Sequence, residues 1–117
     1  MTGNVASNPG SLGAFPVYGL HLNSGTTSNA PAGTPDAYQV CLHAVGNTIA
    51  AAGANGGDGF FVRQRFATTV RLPGYAGPSH DGAAVAAFVS ANNGGATGLV
   101  ATSVAGGGFV NGPACPS

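Results

Sequence analysis

Residues 60–72, FFVRQRFATTVRL, constrain the fold more than any other part of this 117-residue chain. Their side chains sort into two rows, as in a β-strand whose successive residues point to opposite faces. Phe60, Val62, Gln64, Phe66, Thr68, Val70 and Leu72 form one row, mostly apolar and suited to a core. Phe61, Arg63, Arg65, Ala67, Thr69 and Arg71 form the other. That second row holds every Arg, and the chain has no Lys. The pattern predicts one long strand with all the fixed positive charge on a single face.

Shorter strand candidates flank it. Residues 15–22 (FPVYGLHL) suit an edge strand, because Pro16 and Gly19 disfavour a central position. Residues 37–44 (AYQVCLHA) alternate, with Tyr38, Val40 and Leu42 against Gln39, Cys41 and His43. Residues 47–52 are expected to pair back on them across 45–47, and 53–59 (GANGGDG) form a Gly-rich turn into the long strand. Residues 83–91 (AAVAAFVSA) are rich in alanine, which favours helix. They are nevertheless short, and Val85, Ala87 and Val89 alternate with Ala86, Phe88 and Ser90. They are therefore read as a strand, in a hairpin with 98–104, and a last strand lies near Phe109-Val110. Two loops, 23–36 and 73–82, separate these elements, and 23–36 is long enough to suggest a contact surface. Residues 1–14 read as an extended N-terminal arm and 15–117 as one β-domain. Short strands between Gly, Pro and Asn turns imply an all-β, antiparallel β-sandwich or jelly roll with long loops. No repeat period marks a solenoid.

Composition narrows the function. Three Arg and three Asp are the only fixed charges, far below the quarter of residues usual in soluble domains. Nucleic acid and anionic membranes are engaged through fields of Lys and Arg, and no such field exists here. No apolar run is long enough to span a bilayer, and the first residues show no basic start or apolar stretch of a signal peptide. A surface nearly free of charge favours association. A homo-oligomer is therefore expected, with contacts through the arm, the 23–36 loop (Thr26, Thr27, Asn29) and the Arg row (Arg63, Arg65, Arg71). The bidentate guanidinium suits carboxylate-bearing partners; a solvated sheet face explains the same row equally well.

Residues with catalytic chemistry are few and scattered. His21, His43 and His80 lie on separate segments without metal-ligand spacing. Ser79-His80-Asp81 are adjacent, which does not usually make a relay, and Asp81-Gly82 reads as a turn. The Gly- and Asp-rich turn before Phe60 is a single copy of a pattern that calcium-binding rolls need several times. No catalytic residue, metal site or cofactor is assigned, and the chain is read as a non-enzyme. Cys41 and Cys115 either form a disulfide tying the tail to a central strand or remain free thiols.

Two segments resemble known families. Residues 57–66, GDGFFVRQRF, with Ala87-Phe88-Val89-Ser90, look like strands of jelly-roll domains in bacteriophage tail and tail-fibre proteins. Asp81-Gly82-Ala83-Ala84-Val85, the turn and strand after it, and Gly108-Phe109 are similar to the second half of small phage head-decoration proteins. These resemblances imply a structural virion subunit, a capsid decoration or tail-fibre accessory, acting through contacts with itself or other virion proteins. The alternative is a secreted carbohydrate-binding or adhesive module, extracellular, with Tyr18, Tyr38 or Tyr75 as a stacking platform for a cell-surface glycan.

Overall fold

In a computed structural model the chain is mixed α/β rather than an antiparallel sandwich. The structure describes residues 1–6, 18–25, 38–49, 59–66, 68–104 and 106–116. Among these described residues eight strands and one helix follow in order: β1 (Val5–Ala6), β2 (Leu20–Ser24), β3 (Tyr38–Cys41), β4 (Thr48–Ile49), β5 (Phe60–Gln64), β6 (Thr68–Arg71), α1 (Gly82–Asn92), β7 (Gly98–Ala101) and β8 (Gly108–Val110). Every strand pair is parallel. The sheets are β1-β4, β2-β5-β7 and β3-β6-β8. The chain thus visits three faces in the same order three times. The result is a short parallel solenoid of three coils in which α1 replaces the third strand of the first face.

This overturns the expected jelly roll, its antiparallel hairpins and the absence of a solenoid. The coils have no legible period because their corners differ in length: Val5 pairs with Thr48, Leu20 with Phe60 and Tyr38 with Thr68. The expected long strand is two strands, β5 and β6, in different sheets, with a corner between Gln64 and Thr68. Its inward row survives the corner. Phe60, Val62, Gln64, Thr68, Val70 and Leu72 are all buried, and only Phe66 at the bend is half-exposed. The Arg residues consequently lie on two faces, with Arg63 on the second sheet, Arg71 on the third and Arg65 at the corner between them.

Residues 83–91 are helical, not a strand. Asp81 caps the helix, its Oδ1 accepting from the Ala84 N–H at 3.0 Å, an interaction typical of helix starts. Val85 and Val89, four apart, meet on one face and are buried in the core. The alternation that suggested a strand matched this pair equally well, and alanine propensity decided the outcome.

One core joins all faces: Leu20, Phe60 and Val62 from the second sheet, Val70 and Phe109 from the third, Ile49 from the first, and Val85 and Val89 from α1. Parallel stacking puts equivalent residues above one another, so bulk in one coil is matched by a small residue in the next where space is short. The Phe60 ring occupies the place where a side chain at Gly98, its register partner, would stand.

The two ends of the solenoid differ. Leu72 N–H donates to Val110 O at 2.8 Å, so the backbone groups of Val110 point to β6 and those of Phe109 point away from it, while the Phe109 side chain stays in the core; Phe109 N–H donates to Ser79 O at 2.7 Å. The 73–81 loop therefore closes the outer edge of β8. Phe60 N–H donates to Thr97 O, which turns the Val100 carbonyl outward on β7. A Cβ on Gly82 would lie 2.8 Å from that oxygen, so the start of α1 covers this edge. At the opposite end β2 and β3 are edge strands, each with a neighbour on one side only among the described residues.

Candidate functional site

The corner between the second and third sheets carries an open cleft of about 180 Å³, lined by Arg63, Gln64, Arg65, Phe66, Thr102 and Ser103, with Ala101 at its edge. Gln64 builds it from beneath. Its buried amide donates to the carbonyls of Arg65 at 2.6 Å and Thr68 at 2.9 Å. Its Oε1 accepts from the Thr102 hydroxyl and the Ser103 N–H, both at 2.9 Å. One side chain thus fixes the bend of the second coil and fastens the third coil above it.

Two guanidiniums border this cleft. Arg63 is exposed on the outer face of β5, and Arg65 is half-buried at the bend. Among the described residues neither has a carboxylate partner, and Arg65 Nε is buried without an acceptor. A buried N–H without a partner is uncommon and asks for an acceptor.

Next along the same outer face lies an aromatic cluster. Phe61 is in register with His21 on β2 and Leu99 on β7. Tyr18 stacks on Phe61 with centroids 5.2 Å apart, and His21 meets Phe61 edge-on at 5.4 Å. Leu99 is 53% exposed. A row of apolar and aromatic groups therefore crosses the second sheet beside the row Asn23, Arg63, Ala101.

The remaining expected site residues separate. Arg71 Nε is buried without an acceptor, and its stem packs on Gly112 of the C-terminal tail. Cys41 and Cys115 are joined, with Cα atoms 5.5 Å apart. The tail therefore crosses the outer face of the third sheet, from the last coil back to the first. Thr26, Thr27 and Asn29 lie outside the described residues, as does most of the expected arm and the 23–36 loop. Residues 1–6 lie against their own chain: Thr2 bridges Val45, and β1 pairs with β4. Tyr75 is buried and donates to Pro78 O at 2.8 Å, and its hydroxyl pKa is raised by burial and then by the nearby Asp81 carboxylate. It is unsuited to a sugar platform. Among the described residues, no cluster of three His, Cys, Asp or Glu is placed to hold a metal.

A feature that sequence reasoning missed runs through the first face. Asn47 Oδ1 accepts from the Asn4 N–H and the Asn4 amide, while Asn93 Oδ1 accepts from the Asn47 N–H and the Asn47 amide. Asn93 in turn donates to Ala44 O and Val89 O. This ladder has one Asn per coil. Its signal was Asn4-Val5 and Asn47-Thr48, each Asn just before a two-residue strand.

Comparison with protein families, with curated proteins and with solved structures finds no match to this chain.

Proposed function

We propose that this protein is a structural, non-enzymatic component of a bacteriophage virion that works through subunit contacts, with itself or with other virion proteins. The supporting observation is the unequal pair of solenoid ends. The third coil is closed by Ser79 and Gly82, whereas β2 and β3 present edge strands without a Lys, Asp, Glu or Pro, the residues that usually blunt such edges. Leu20 N–H points to β5 by bonding Gly59 O, so the backbone groups of His21 and Asn23 point away from the sheet. A second copy can pair there edge to edge about a two-fold axis, giving a closed dimer instead of a filament. The disulfide and the scarcity of charge suit a particle exposed to the outside.

Light scattering coupled to size exclusion tests this reading. A dimer is expected, and Asn23→Pro, which removes one outward N–H while leaving the β5 bonds, shifts it toward monomer. A wild-type monomer at high concentration would remove self-assembly from the proposal.

A second reading, a glycan-binding module, is favoured by one observation: Tyr18, His21 and Phe61 gather on an outer sheet face. Saturable binding on a glycan array would favour this second reading.

A further inference from the structure

We infer that the corner cleft is a binding site for an acidic sugar, with the carboxylate held by Arg63 and Arg65 and the sugar ring packed against the Tyr18–Phe61 stack. The inference deepens the glycan-binding reading and is independent of dimer formation through β2 and β3. Three features of the site converge on it.

The first is charge. The chain has three guanidiniums, and two of them border one cleft with no carboxylate partner among the described residues. A guanidinium offers paired N–H groups that match the two oxygens of a carboxylate. Two cations at one corner, uncompensated among the described residues, attract a monoanion.

The second is shape. Phe61 and Arg63 are two residues apart on the same face of β5, roughly 7 Å along the strand. A uronate's carboxylate lies closer than that to its ring centre, and the long Arg63 side chain can reach back over the remainder. Aromatic rings receive the C–H face of a sugar, while a charged residue fixes its orientation. Leu99 extends the apolar side, and Asn23, beside Arg63 in register, supplies an amide for ring hydroxyls.

The third is rigidity. Gln64 locks the cleft floor through four hydrogen bonds that tie two coils together. Arg63 and Arg65 flank it in sequence, so their backbone is held in place before any ligand arrives, which lowers the ordering cost of binding.

The test is a titration of the oxidised full-length protein followed by backbone amide NMR, using glucuronate, glucose and N-acetylglutamate as probes. Glucuronate is expected to bind saturably, at least tenfold more tightly than either of the others, with shifts centred on residues 61–65 and 101–103. Arg63→Ala and Arg65→Lys should each weaken it at least fivefold; Arg65→Lys keeps the charge and stem but loses the fork. His80→Ala, on a remote exposed loop, should leave it unchanged. Equal binding of glucose and glucuronate would overturn the acidic-sugar inference while leaving the glycan reading standing. Equal binding of N-acetylglutamate would overturn it in favour of a protein carboxylate. Absence of binding by any sugar would overturn both the inference and the glycan reading.

Discussion

Single residues hold the coils in register, and two of them carry most of that task. Gln64 is fully buried and uses both ends of its amide. Replacing it with leucine strands the carbonyls of Arg65 and Thr68 and the N–H of Ser103. Since each buried unpaired group costs about 1–3 kcal/mol, Gln64→Leu is expected to lower stability by several kcal/mol in urea unfolding. Asn47→Ala breaks the ladder at its middle rung and should cost about 2–4 kcal/mol on the same grounds. Gly98→Ala is a packing test: the Phe60 ring fills the space a methyl would need, and overpacking costs about 1–3 kcal/mol. Tyr75 gives a pH signature. Its folded pKa lies above the ordinary value near 10, so its contribution is complete below that pH and is lost as pH rises through the higher folded value. Stability should therefore fall on the alkaline side. Tyr75→Phe removes that dependence at about 1 kcal/mol for the lost bond to Pro78, as pH-dependent denaturation would show.

At the scale of elements, α1 is what makes the last coil an end. Removing its cap with Asp81→Ala should cost about 1 kcal/mol, and amide exchange should quicken first in α1 and then at the outward groups of β7. These elements were unevenly legible. The inward row from Phe60 to Leu72 was readable because alternation is local and its phase persists around a corner. Which strands pair was not readable, because parallel partners are set by corner lengths that follow no period. The cleft was half legible: Arg63 and Arg65 stand out in a chain without Lys, but Thr102 and Ser103 reach them only when the third coil stacks. The aromatic cluster was hidden for the same reason, since Tyr18 and Phe61 belong to successive coils. The helix was misread because Val85 and Val89, four apart, suit both a two-residue alternation and a helical face.

For the whole molecule, the bond from Cys41 to Cys115 clasps the last coil to the first across a sheet about 10 Å wide. It closes a loop with a sequence separation of 74 residues, for which chain-entropy arguments give about 4–5 kcal/mol. Reduction should lower the unfolding midpoint accordingly, with the reduced protein losing its third coil before its first two. The proposed dimer contact through β2 and β3 should survive reduction where the fold does, because the disulfide joins side chains and leaves the outward backbone groups of β2 unaltered. Pulled by its two termini, the oxidised molecule presents a tether whose middle is short-circuited. Force travels from residue 41 directly to residue 115, and the cleft lining, 63–66 and 101–103, lies inside the shielded loop, whereas Tyr18 and β2 lie in the outer segment. Only the outer segments can lengthen, by about 140 Å when fully drawn out, against about 400 Å for the whole reduced chain. Such a pull would peel Tyr18 and β2 from the outer face while the residues lining the cleft stay held.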